Sequence, residues 1–443
     1  MKRLLALLLL LALAGAVGAG IWVARHDRPH VVRGSATVEF NSRDAPEARR
    51  LRPKKVVLSE PWKTYGFDLQ RTHFAADFKH RPPFRKVWTV RTGSYIEFPP
   101  TVAYGRVYVA QLLGRFFAID AKTGRVIWKK RFLNCTAASP TVADGVLYQP
   151  YLPKPCNYGD RGRRGFIVAM SIRGGRQLWR FPVTSESSLL LVKNVLYFGS
   201  WDHNIYALDA RTHKVRWRYR ADDEVNSSAA YSSGMIFIGS NGGTLYALDA
   251  RTGRLRWRAR SFSSLRFGRE FFYATPTVAY GRVYAANSDG LVYAFGARSG
   301  RLLWAQRAGP YVYSAPAVWR RTVYVGSYDG KLYALDAATG DVRWTFQSPS
   351  AIHGAPTVMG GLVYFSSCGT CGRRNSRSTK QGRRGTFAVD ARTGKLGWKY
   401  PDGRYSPIVA DGERVYLTGH TRQHAFEPRK PRTLAQARRP RSQ

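Results

Sequence analysis

A chain of 443 residues that is 44% hydrophobic has the composition of a folded protein with a large core, not of a disordered polymer. Lys and Arg number 71 against 28 acids, a net charge of +43. Such a field attracts polyanions (nucleic acid, anionic lipid, acidic envelope polymer), although an Arg bias of the lineage would produce the same excess.

Lys2 and Arg3 precede an apolar run from Leu4 to Ala24, and Arg25, His26 and Arg28 follow it. The run exceeds the apolar core of about 7–15 residues in a cleavable signal and reaches the roughly 20 needed to cross a bilayer. Residues 1–25 therefore predict a signal anchor, one N-terminal transmembrane helix that leaves the rest of the chain on the extracytoplasmic face. The small residues from Ala14 to Ala19 keep cleavage and secretion open as an alternative. The run has no Cys to carry a lipid. Residues 26–61 show no clear periodicity and read as a linker or extended arm.

From residue 62 a unit of about 40 residues recurs. Its clearest copies close on Asp249, Asp336 and Asp390 in the pattern Asp-Ala-x-Thr-Gly, with a Trp at a fixed offset: Trp128, Trp179, Trp217, Trp257, Trp304, Trp344 and Trp398. Each unit predicts four strands, A to D. Strand A follows a Ser-Pro or Ala-Pro, B is a run such as that at Val323, C a run such as that at Leu332, and D carries the Trp. Tyr328-Asp-Gly reads as a two-residue hairpin turn between B and C. In Asp-Ala-x-Thr-Gly the Asp and Thr bond turn backbone and the Gly takes positive φ. Four-stranded antiparallel units of this length are propeller blades.

Seven units run from Pro99 to Trp398, and an eighth from Ser406 to Phe426 lacks strand D. The stretch from Phe84 through Trp88 is a strand D without A to C. Pairing the two closes an eight-bladed, all-β propeller over residues 62–427, with seven blades as the alternative. Closure removes sheet edges that would invite aggregation. Residues 428–443 read as a basic, disordered tail.

Tyr-Ala-Leu-Asp-Ala-x-Thr-Gly-x-x-x-Trp resembles the repeat of pyrroloquinoline-quinone-type propellers, and Trp62-Lys-Thr-Tyr-Gly-Phe-Asp68 resembles the opening segment of quinoprotein dehydrogenases. That family holds quinoprotein alcohol dehydrogenases and the non-enzymatic propeller subunit of the outer-membrane barrel-assembly machine. The dehydrogenases carry adjacent cysteines beside the cofactor and have long insertions; here no two of the four Cys are adjacent and the blades are compact. The resemblance thus implies the fold, and its non-enzymatic branch lies closest in kind.

The repeated Asp, Thr, Gly and Trp serve one turn and one packing position in every blade, so function belongs where repeats differ. D–A connections and B–C hairpins share a face. Two residues before each Ser-Pro position stand Glu97, Ala137, Glu186, Asn226, Tyr273, Tyr313, His353 and Arg404. All but Ala137 can form a channel rim that binds a ligand or partner; a merely solvated rim is the plainer reading. Glu97, Glu186 and Asn226 have the hard oxygens Ca²⁺ takes. No catalytic base stands out, because Asp222 and Asp223 read as a surface pair.

Two B–C insertions rise on the same face. Blade 7 carries Arg373, Arg374, Arg377, Lys380, Arg383 and Arg384 without interleaved aromatics, which suits a polyanion but no specific nucleic acid. Cys135 with Cys156, and Cys368 with Cys371, are expected as disulfides in an exported chain. The expectation is a non-catalytic, membrane-anchored, monomeric propeller scaffold that binds an envelope protein or anionic polymer, with no metal and no cofactor. The alternative is a dehydrogenase of alcohols or sugars dependent on pyrroloquinoline quinone and Ca²⁺.

Overall fold

The alternating apolar runs of the repeat form strands. In blade 6, strands A (Ala317–Trp319), B (Thr322–Gly326), C (Lys331–Asp336) and D (Val342–Gln347) pair antiparallel in that order. The computed structural model describes residues 31–46, 61–75, 77–153, 165–262, 270–369, 371, 384–405 and 408–429, and among these eight such four-stranded sheets form. The signal anchor over 1–25, Cys156, Arg373, Arg374, Arg377, Lys380, Arg383 and most of the basic tail lie outside them. Among the described residues no helix is long and apolar enough to cross a membrane.

The ring closes as expected. Strand D of blade 8 is Phe84–Arg91, and it pairs antiparallel with the last strand, Arg422–Pro428, with Trp88 opposite Ala425. Each blade is then locked to the next by the repeat's own residues. In blade 4, Asp249 Oδ1 accepts from the backbone of Arg251 and Thr252 and from the Thr252 hydroxyl. Gly253 takes φ +73° directly beneath Trp217 of blade 3, where a Cβ would lie 2.6 Å from the indole. The Trp217 indole N–H donates to Ala250 O at 3.0 Å. Trp88, Trp257 and Trp304 make the same bond to the next blade. The motif is therefore structural: it ties a turn to a neighbour's indole.

The hairpin expectation needs correction. Strand B of blade 6 ends at Gly326 and C begins at Lys331, so Tyr328-Asp-Gly belongs to a four-residue connection, 327–330. Asp329 Oδ1 caps Lys331 N at 2.8 Å and Gly330 has φ +84°, which sustains the longer turn.

The channel is filled by the segment that opens the propeller. Trp62 pairs with Val102 of blade 1, and Val142 N donates to Lys63 O. Tyr231 N, Val278 N, Val318 N and Val358 N donate in turn to Leu69, Gln70, Thr72 and His73 carbonyls. Inner strands of blades 1, 2 and 4 to 7 thus spend a main-chain N–H or C=O on this plug. Arg71, fully buried, joins them at the hub. Its Nε donates to Ala229 O at 2.9 Å, Nη1 to Thr64 Oγ1 at 2.7 Å and to Tyr65 O, and Nη2 to Ser188 O and Leu189 O of blade 3 at 3.3 and 3.4 Å.

Residues 31–46, inside the stretch read as linker or arm, form a strap. Val32 and Ala305 exchange backbone hydrogen bonds at 3.0 Å, so the strap adds to the outer edge of blade 5. It then crosses the face opposite the B–C hairpins, where buried Arg282 donates to Ser35 O, Val38 O and Glu39 O, and Phe40 stacks on Tyr280 at 4.9 Å.

Candidate functional site

With the channel plugged and one face strapped, the described residues leave open the face bearing the D–A connections and B–C hairpins; we term it the top. Its geometry repeats. Leu112 N, Trp201 N, Asn241 N, Ser288 N and Tyr328 N, all in B–C connections, donate to Tyr95, Thr184, Glu224, Phe271 and Tyr311 carbonyls, each two residues before a rim position. This pinning carries the variable residues to a common centre.

Glu97, Asn226, Tyr273, Tyr313 and His353 line one pit with Tyr65, Phe98 and Tyr405. Glu186 sits behind it, accepting from the Tyr273 hydroxyl at 2.7 Å. Arg404 flanks it, its guanidinium 4.4 Å from the Tyr95 ring centre and 4.6 Å from that of Tyr405, and donates to His420 Nδ1 at 3.0 Å. Ala137 packs instead with Cys135 and Leu152. Tyr313 stacks on His353 at 5.6 Å and meets Tyr273 edge-on at 5.8 Å. The buried Asn226 Oδ1 accepts no hydrogen bond among the described residues.

The rim alignment did not include Tyr328 and Tyr405. The Tyr328 hydroxyl and His353 Nδ1 share a hydrogen bond at 2.6 Å. The second residue of each B–C connection also varies between blades (Leu112, Trp201, Asn241, Ser288, Tyr328), and aligning it would have found this inner neighbour. Cys368 and Cys371 form the expected local disulfide and pack beside Tyr328 and Tyr405. Cys135 is disulfide-bonded too.

The pit offers about 40 Å³, enough for a few waters at roughly 10–15 Å³ each. A planar quinone with three carboxylates needs far more, with cations to meet its charge. Arg71 below spends its guanidinium on carbonyls and Thr64, and Arg404 lies sandwiched between rings. Among the described residues no three His, Cys, Asp or Glu side chains gather as a metal requires. Asp222, nearest to a base, accepts from the Ser240 and Thr244 hydroxyls and clamps a turn. The present residues do not fit the quinone.

Burial pushes Glu97 up from 4.5 to about 7, with Arg404 opposing, and pushes His353 down from 6.5 to about 4, with Arg404 assisting. An acid with a raised folded pKa contributes stability that is complete below pH 4.5 and lost as pH rises through about 7. His353 works oppositely: its contribution is complete above 6.5 and lost as pH falls through about 4. Subtracting the Glu97→Gln thermal-unfolding profile from wild type is therefore expected to leave a component that declines between pH 4.5 and 7. Parallel profiles across that window would refute this placement of Glu97.

Fold and site define an eight-bladed propeller of quinoprotein-type repeats with a plugged channel and an aromatic pit. The family model described as outer membrane protein assembly factor BamB matches residues 85–226, 163–266, 201–315 and 288–436, and the chain belongs to that family. Over 130 residues the chain is 26% identical to the outer membrane protein assembly factor BamB of Legionella pneumophila (strain Paris), covering 27% of this chain and 31% of that protein. Over 220 residues it is 24% identical to the polyvinylalcohol dehydrogenase of Sphingopyxis sp. (strain 113P3), covering 42% and 33%. The chain thus spans about a third of the length of these curated relatives. The crystal structure of BamB from Moraxella catarrhalis superposes with a TM-score of 0.60 at 15% identity, covering 80% of this chain and all of that one; it shares the fold.

Proposed function

We propose that this chain is a non-catalytic scaffold, held on the extracytoplasmic face of a membrane by its N-terminal segment, that docks a partner protein on its top face. The observation that carries this reading is the convergence of the variable rim on a shallow, Tyr-rich pit. Tyr95 and Tyr311 remain 41% and 48% exposed at its edge. Tyr and Arg anchors around small pockets are what protein interfaces enrich, and about 40 Å³ leaves no room for a quinone with its substrate. Membership of a family described by an outer-membrane assembly factor supports both the docking role and the extracytoplasmic location.

The second reading, a quinone- and Ca²⁺-dependent dehydrogenase of alcohols or sugars, is favoured by the polyvinylalcohol dehydrogenase relative. Dye-linked oxidation after reconstitution with pyrroloquinoline quinone and Ca²⁺ separates the two. No turnover is expected, and substrate-dependent dye reduction would overturn the scaffold reading.

A further inference from the structure

The repeat supplies its own control for an electrostatic anomaly. At the top of blades 3 to 6, the first residue of strand C lies opposite the last of strand D, and a cation there always meets a neutral residue, as in Asn204–Arg220 and Thr244–Arg260. Blades 1 and 8 break the rule. Arg115 lies opposite Arg131, and Arg422 opposite Arg91. Like charges directly across a strand pair repel and destabilise the sheet. All four side chains are exposed, and none has a carboxylate partner among the described residues.

The two pairs occupy neighbouring blades, and that of blade 8 spans the strand pairing that closes the ring. Arg91, Arg115 and Arg131 line a single cleft of about 540 Å³ there, with Lys129 and Lys130. From this we propose that the seam cleft between blades 8 and 1 binds an anion bearing two or more phosphates. Five cations around one small volume call for several negative charges close together. A carboxylate supplies one charge, whereas a phosphate group supplies up to about two. Three of the five are Arg, whose planar fork meets phosphate oxygens in pairs. The cleft lies on the outer rim of the top face, away from the pit. Among the described residues its lining comes from blades 8 and 1 and the link between them, whereas the sequence marked Arg373, Arg374 and Arg377 of the blade 7 insertion for polyanions.

Tripolyphosphate is the probe. Calorimetric titration of the full chain at low ionic strength is expected to show saturable binding that weakens as salt is added. Arg131→Glu places an opposite charge across from Arg115. It is expected to weaken binding by about tenfold or more, and to raise the unfolding temperature in phosphate-free buffer by relieving repulsion. Tripolyphosphate should then raise the unfolding temperature of wild type but not of the variant. Arg91→Gln should act in the same direction, and R373Q/R374Q/R377Q should bind as wild type. Vesicles of cardiolipin, whose headgroup carries two phosphates, distinguish the source: sedimentation with vesicles that is lost in R131E puts the phosphates on lipid headgroups, and its absence puts them on a soluble polymer. Equal tripolyphosphate binding by wild type and R131E, or a lower unfolding temperature for unliganded R131E, would overturn the proposal.

Discussion

Arg71→Met is expected to unfold several degrees below wild type. Arg71 is wholly buried, and its five N–H groups reach Ala229 O, Thr64 Oγ1, Tyr65 O, Ser188 O and Leu189 O. Methionine fills comparable volume but donates nothing, so these acceptors lose partners where water cannot replace them. Breaking such a buried, hydrogen-bonded charge costs about 3–5 kcal/mol. Burial already raises the Asp68 carboxyl to about 6 against the Thr72 hydrogen bonds and the Arg71 charge, and losing that charge would raise it further. Arg71→Lys keeps the charge but offers three donors from a point, which cannot span five acceptors, so an intermediate loss is expected. Differential scanning calorimetry checks both; an R71M unfolding temperature within a degree of wild type would show that the plug does not brace the ring.

Trp88→Ala should weaken the closure itself. Trp88 is 8% exposed, stands over Gly124 of blade 1, lies 5.9 Å from Tyr416 and donates to Ala121 O at 3.0 Å. Truncating a buried Trp costs about 3–5 kcal/mol. Here the loss falls on the strand that joins the two ends of the ring, so local opening bares the unpaired edge of Arg422–Pro428. Hydrogen exchange should quicken at Ala425 and Phe426 before it does in blades 3 and 4, and light scattering should rise at a lower temperature. Uniform exchange across the blades would contradict this.

Much of this was legible because repetition averages over local ambiguity. One Asp-Ala-x-Thr-Gly and one Trp, read in many copies, define the turn, the strand order and the blade interface together. The rim was legible for the same reason, since residues at one register of a repeated strand reach one radius; Glu97, Asn226, Tyr273, Tyr313 and His353 do meet. The plug was not. Trp62 to His73 bond the inner strands through main-chain groups that any residue supplies, so no periodicity betrays them. The strap left a fainter trace. Strand D of blade 5, Leu302–Arg307, lacks the alternating Arg of Val215–Arg220 and Leu255–Arg260, because the strap covers it: Trp304 and Ala305 are buried. The seam cleft escaped notice because Arg115 and Arg131 become neighbours only once strand register is known.

The top face is read as a docking surface in which the pit is too small, and the nearby Arg71 and Arg404 too committed, for a quinone. The most direct measurement is an equilibrium titration of the purified chain with pyrroloquinoline quinone and Ca²⁺, followed by quinone absorbance and by dye reduction with alcohols and sugars. The expected result is no stoichiometric quinone uptake and no substrate-dependent reduction. Tight one-to-one uptake with turnover, lost in Glu186→Gln, would contradict it.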